Sequence, residues 1–297
     1  MLNWTPRNSI AAVCISLAPA LTGCLTHTYS VPKTRPPDIV FSTDLSHLVS
    51  QMNDRYNSIQ TITATVEIQA TVGASRQGHA TDYPAFSGYI FVRKPEDIRV
   101  ILLVPVLRSQ ALDMVSDGKL WKLWIPPKNR AMEGTNQVSK PSPNAIENLR
   151  PAVFFDSLLV RNILPEEIIS LTSDIRILQP ATKKSDIVEE PDYDIEVLSP
   201  PTDQVAHTLR VVHISSADLL PYQQDLYNPQ GQVVTRAFYS GYQKFNDISF
   251  PTRILIRRPL DQLSLSVTIT KLTFNQSLDN DQFDLKIPTT VPIQKMD

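Results

Sequence analysis

The longest regular pattern in the chain runs from Thr61 to Val72. Ile62, Ala64, Val66, Ile68, Ala70 and Val72 alternate there with Thr61, Thr63, Thr65, Glu67, Gln69 and Thr71. A period of two puts every apolar member on one side of an extended chain, so this is a long strand with one dry face and one wet face. Just before it, Leu45, Leu48, Val49, Met52 and Tyr56 recur at spacings of three and four. That spacing predicts an amphipathic helix of about four turns, ending near Ser58 and capped by Ser42 or Thr43.

The pattern then predicts strands at Phe86 to Arg93, Asp97 to Pro105, Gln110 to Ser116, Lys119 to Ile125 and Arg130 to Glu133. Asp117-Gly118 between two of them suits a tight hairpin turn. A second helical patch spans Pro143 to Leu164 and is apolar over more than one stripe. It breaks at Arg150-Pro151, because the residue before proline disfavours helix. The acidic stretch from Lys183 to Asp192 reads as a solvated loop. Strands resume at Tyr193 to Leu198, His207 to Ser215, Tyr222 to Tyr227, Val233 to Phe245, Pro251 to Arg258 and Leu263 to Phe274. In the last of these the apolar phase moves from odd to even positions around Thr270-Lys271, which predicts a bulge.

About eleven strands with few helices between them predict a mainly β (α+β) domain whose sheet is antiparallel. The dry faces must be covered, and two short helical patches cannot fill a curved sheet of that size. The expected architecture is a curved antiparallel half-barrel wrapped around a few helices, with an apolar cavity.

Composition narrows the function classes. The chain has 297 residues, 42% of them hydrophobic, with a formal net charge of −2. That is enough apolar content for a core, and it leaves no basic stripe for nucleic acid. Glycine is scarce at 8 and proline abundant at 24. The 2 cysteines, Cys14 and Cys24, both lie near the N-terminus, so the body of the protein has neither a disulfide nor a thiolate metal site.

The first 24 residues read MLNWTPRNSIAAVCISLAPALTGC. Ile10 to Leu21 is mostly apolar, short for a span of roughly 20 residues and interrupted by Pro19. Leu21-Thr22-Gly23-Cys24 at its end resembles the lipobox of bacterial lipoproteins. The resemblance implies a signal peptide over 1–23, a diacylglyceryl thioether on Cys24, and usually an acylated amine. Leu25 in place of aspartate resembles the class sent to the outer membrane, on its periplasmic face. From Cys24 to residue 41 the proline-rich chain reads as a tether, from 42 to 291 as one domain, and from 292 to 297 as a tail.

That domain resembles the lipoprotein-localisation family of LolA and LolB. The stretches that carry the likeness are IQTITATVEIQATVG after the first helix, IRVILLVPVLRSQALDMVSDGKLWKLWIPPKNRAMEG, and the closing LDNDQFDLKIPTTV. The family implies a cavity that holds acyl chains. Its membrane-anchored member implies an apolar residue projecting toward the membrane from the loop between the third and fourth strands. Here that loop is Val104-Pro105-Val106-Leu107-Arg108, with Val106 and Leu107 as the membrane-contact pair; burial of both in the barrel rim is the alternative. Candidates for the cavity lining are Val66, Ile68, Phe91, Leu102, Met114, Trp121, Leu123, Phe154, Phe155, Leu158, Val211, Ile254 and Val267.

Enzymatic machinery is not legible. His27, His47, His79, His207 and His213 are scattered without metal-ligand spacing, and read as surface histidines. There is no G-x-S-x-G elbow and no phosphate-cradling loop. Asp279 to Asp284 lacks the central glycine and distal glutamate of a calcium loop. No cofactor beyond the lipid on Cys24 is expected, and no metal. The expected function is therefore non-enzymatic. A membrane-anchored lipoprotein would take lipid, or the acyl chains of lipoproteins, from a periplasmic carrier protein and pass them to the envelope membrane. The alternative is an envelope-assembly or sensing lipoprotein that binds a protein partner through the same fold.

Overall fold

A computed structural model describes residues 29–31, 33–74, 78–136, 148–178 and 187–296. Cys24 and the segment before it lie outside the described residues. Along the chain the elements are β1 (Thr34–Arg35), α1 (Leu45–Ser58), β2 (Thr61–Ala74), β3 (His79–Asp82), β4 (Phe86–Arg93), β5 (Asp97–Leu103), β6 (Gln110–Ser116), β7 (Leu120–Ile125) and β8 (Arg130–Thr135). There follow α2 (Pro151–Leu158), β9 (Ile168–Thr172), β10 (Ile175–Leu178), β11 (Ile187–Leu198), β12 (Thr208–Ser215), β13 (Pro221–Tyr227), β14 (Val233–Phe245), β15 (Ile248–Arg258), β16 (Leu263–Phe274) and β17 (Ile293–Met296).

The chain divides into two compact units. The smaller comprises residues up to Pro36 together with Ile177–Glu189. Its described part is a short parallel pairing of β1 with the start of β11, Thr34 opposite Ile187 and Arg35 opposite Val188. The larger comprises Pro37–Arg176 and Glu190–Asp297 and carries everything below.

In the larger unit one continuous sheet runs β9-β11-β12-β13-β14-β15-β16-β2-β4-β5-β6-β7-β8-β17, with β3 paired to the far end of β2. Every neighbour is antiparallel except β17, which lies parallel to β8. The expected mainly β, open and curved antiparallel architecture is therefore present, with more strands than the sequence pattern predicts. Facing residues align across it. Ile195, Val212, Gln224, Ala237, Ile256, Leu265 and Ala70 form one row over seven strands. Directly opposed residues of antiparallel strands share a face, so this row defines the inner side. The expected bulge is present, as a register shift between Ile269 and Lys271 against β2.

Both helices pack on that inner side. Leu48 and Met52 of α1 meet Ile195 and Val197 of β11 and Val212 and Ile214 of β12 in a small core. Val153, Phe154, Phe155 and Leu158 of α2 sit in the larger core formed by the other strands. Gln224, buried on β13, donates to the backbone carbonyl of Asp156 at 3.0 Å and ties α2 to the sheet.

Several expectations need correction. The cap of α1 is Asp44, whose carboxylate accepts from the His47 N–H at 2.8 Å, rather than Ser42 or Thr43. Of the second patch, residues 143–147 lie outside the described residues, and among the described ones the α-helix is Pro151–Leu158. Leu159 to Leu164 continues as non-helical chain in which Leu159, Val160 and Ile163 still pack inward while Leu164 is exposed, and Ile163 N–H donates to Asn53 at 2.9 Å.

The acidic stretch is not a loop throughout, since β11 begins at Ile187. Glu190 and Asp192 are buried because each is partnered. Arg176 and Ser215 bond Glu190, while Tyr222 and the Asp174 N–H bond Asp192. Nor is the C-terminal end a tail, because Ile293–Met296 covers the open edge of β8. The Asp279 to Asp284 segment is a 3-10 turn with a reciprocal cap between Asp279 and Gln282.

Candidate functional site

An apolar cavity of about 320 Å³ lies between the inner face and α2. Its walls come from Ile68 and Ala70 of β2, Leu102 of β5, Ala111, Leu112 and Met114 of β6, Ile125 of β7, and Leu263 and Leu265 of β16. Phe154 of α2 and Leu149 just before it close one side. The space exists for a local reason. Helix α2 has only eight residues, so it covers the middle of the sheet and stops short of this end. The alanines at 70 and 111 do not fill what it leaves.

The strand register fixes which end of the sheet this is. The turns β5–β6 (residues 104–109), β7–β8 (residues 126–129) and β15–β16 (residues 259–262) all fall at one end, with the link from β3 to β4. Val104, Pro127, Lys128 and Tyr83, drawn from three of those connections, form the rim. Pro127 and Lys128 are exposed, and Tyr83 is 38% exposed, so the cavity meets solvent here.

The wall is braced from behind. On the outer face Arg99 grips the buried carboxylate of Asp113 with two hydrogen bonds, at 2.9 and 2.7 Å, and reaches the Gln282 carbonyl at 3.0 Å. The bond to Asp113 raises the Arg99 pKa in spite of burial, and Gln110 adds a third bond to Asp113 at 2.6 Å. This clamp fixes β5 against β6, and hence Leu102, Leu112 and Met114 on the cavity side.

Of the thirteen expected lining residues, Ile68, Leu102, Met114 and Phe154 line the cavity. Val66, Trp121, Leu123, Phe155, Leu158, Ile254 and Val267 are in the packed core instead. They lie on the correct face but too far along their strands, and Leu158 faces a small gap beneath α1. Phe91 and Val211 are on the opposite face. Ile90 and Val92 of β4, and Val212 and Ile214 of β12, take the inner positions, while Phe91 stacks on Tyr89 with ring centroids 6.4 Å apart. Sequence reasoning missed Ala70, Ala111, Leu112, Ile125, Leu263 and Leu265.

The β5–β6 turn is exposed, not buried in the rim. Val106 is 97% and Leu107 77% exposed. The turn is held rigidly, with Arg108 N–H donating to Val104 at 2.9 Å and Val104 N–H to Ser109 at 2.7 Å. Val106 and Arg108 adopt left-handed φ values of 68° and 53°, a conformation that a β-branched residue rarely takes. Two apolar side chains thus project into solvent beside the cavity mouth.

A second cluster lies on the outer face. His213 is not a plain surface residue, because its Nδ1 is 2.5 Å from Asp194 directly across the strand pair. Asp192, Asp194 and His213 bring one ligand-type atom each within 4.8 Å of one another. Burial alone would lower the His213 pKa. The hydrogen bond and charge of Asp194, with Asp225 and Asp192, outweigh it and raise the value. Asp192 is already engaged by Tyr222, and Arg176 stands 3.8 Å over the Tyr222 ring. The cluster is a cross-strand network that pins β11, β12 and β13 together.

No family model matches the sequence, and no curated protein matches it either. The chain is similar in fold to solved structures at low identity. A LolA superfamily protein from Nitrosomonas europaea shares 12% identity over 80% of this chain and 97% of its own, with a TM-score of 0.49. A DUF1329 family protein from Desulfovibrio piger shares 14% over 80% and 95%, also at 0.49. A domain from Vibrio parahaemolyticus named for outer-membrane lipoprotein sorting shares 12% over 80% and 95%, at 0.48.

Proposed function

We propose that this protein is a membrane-anchored envelope lipoprotein, held by lipid on Cys24, that takes an acyl chain into the cavity and releases it to the membrane. The observation that carries the reading is an apolar space of about 320 Å³ that opens at a rim flanked by exposed Val106 and Leu107. Transfer needs no covalent chemistry. Each buried methylene contributes about 0.8 kcal/mol, so ten of them would give roughly 8 kcal/mol before the losses of ordering. A bilayer offers the same burial. The chain therefore moves only if the receiver holds it more tightly than the donor. On this reading Val106 and Leu107 dip into the bilayer surface and bring the mouth to it. The receiving membrane is the outer membrane at its periplasmic face, as the lipobox with Leu25 suggests, and the donor is a periplasmic carrier.

The second reading, a module for a protein partner, draws support from the edge of the sheet. Ile168 on β9 and Ile175 on β10 are 43% and 59% exposed on short strands, and exposed edges accept added strands.

Native mass spectrometry separates the two readings. The full-length Cys24→Ser chain is purified from a bacterial envelope without detergent. The proposal expects bound masses that match lipid or acyl-peptide and vanish on denaturation. A bare protein mass, together with no uptake of a fluorescent fatty acid, would sink it and turn the search to protein partners.

A further inference from the structure

The inference deepens the acyl-chain reading and rests on it. Among the described residues, Lys128 is the one charged side chain that lines the cavity. Its backbone is held by a 3-10 turn, Pro126–Lys128, in which two prolines fix φ and Asn129 closes the turn with a 3.0 Å bond to the Pro126 carbonyl. Asn129 itself is left-handed at φ 47°. The ammonium therefore swings from a fixed point on the rim, with its aliphatic stem along apolar wall. No carboxylate pairs with Lys128 among the described residues. Tyr83 lies on the same rim, and exposed Arg108 on the neighbouring turn adds positive charge at the same end of the sheet.

We infer that the cavity selects a single-chain anionic amphiphile, with one acyl chain in the apolar space and a carboxylate or phosphate at Lys128. Size and charge each argue for part of this. The volume, about 320 Å³, sits at the small end of the roughly 300–1,000 Å³ range of ligand pockets, which suits one chain better than two. An anionic head gains a charge-assisted hydrogen bond beside a low-dielectric wall. A neutral head gains apolar burial only, and a cationic head meets like charge.

The test titrates the full-length Cys24→Ser chain with dodecanoate, dodecyl phosphate, monododecanoylglycerol and dodecyltrimethylammonium, each below its micelle-forming concentration. The expected result is that the two anions bind on the order of threefold to tenfold more tightly than the neutral glycerol ester, with the cation weakest. That preference should shrink as salt rises, vanish in Lys128→Gln and invert in Lys128→Glu. Which anion binds more tightly tells a free carboxylate from a lipid phosphate as the source. Equal binding of all four probes, or a ranking unchanged in Lys128→Glu, overturns the inference and leaves the acyl-chain cavity standing. No binding by any probe overturns both. Unchanged urea midpoints of the Lys128 variants confirm that any loss is not unfolding.

Discussion

Two alanines on the inner face of β2 give a controlled test of whether the cavity is open space. Ala64 is 1% exposed, with Leu272 and Ile90 opposite it on the neighbouring strands. Ala70 lies three inward positions further along the same strand, opposite Leu265, and lines the cavity. Ala64→Phe forces a ring into packed core, and overpacking of that kind costs about 1–3 kcal/mol. Ala70→Phe directs the same ring into apolar space, where burying a Phe side chain is worth up to roughly 1.5–3 kcal/mol. Strain and lost freedom reduce that gain, so the net change expected for Ala70→Phe runs from about zero to 2 kcal/mol of stabilisation. Equilibrium urea unfolding reads both variants, provided the m-value stays constant. Ala70→Phe should also lose uptake of dodecanoate. If it destabilises as much as Ala64→Phe, or binds dodecanoate as the parent does, the cavity account is refuted.

Three further outcomes follow from the same geometry. Leu107→Asp should leave the unfolding free energy within about 0.5 kcal/mol, since the side chain touches solvent, yet weaken flotation of the Cys24→Ser chain with phospholipid vesicles; unchanged flotation would remove the β5–β6 turn from membrane contact. Phe154→Ala should cost about 3–5 kcal/mol, because a side chain only 2% exposed leaves a larger hole; a loss below about 1 kcal/mol would mean that α2 is not seated as described. The His213 pKa is raised in the folded protein, so its pairing with Asp194 stabilises fully below the unfolded value near 6.5 and fades as pH rises through the folded one. His213→Gln should therefore lose more stability at about pH 5.5 than at about pH 8.5, and an equal loss at both would contradict the ion pair.

How much of this was legible in the chain depended on what each residue pattern encodes. Phe86–Arg93, Gln110–Ser116, Val233–Phe245 and Leu263–Phe274 are strands at the predicted bounds, because each is an extended apolar or β-prone run bounded by turn residues. The bulge at Ile269/Lys271 and the start of α2 at Pro151 were equally direct. The beginning of β11 was hidden by Pro191 and by Glu190 and Asp192, whose burial depends on partners far away in sequence, Arg176 and Tyr222. Strands as short as β3, β9 and β17 carry too few positions to show a period.

The existence of a cavity could be inferred from too little helix under too much sheet. Its lining could not, because a period of two tells the face of a strand and not the depth along it. Phe91 and Val211 mislead even as to face. Both stand in strands that are apolar at odd and even positions alike, where only packing decides which side is inner.

The central claim is that an acyl chain enters the space between β2, β5, β6, β16 and α2. Methyl-labelled NMR of the full-length Cys24→Ser chain with dodecanoate tests it most directly. The account predicts intermolecular contacts from the acyl chain to the methyl groups of Ile68, Leu102, Leu112, Met114, Leu263 and Leu265. Contacts confined to Val106 and Leu107, or none at all, would contradict it.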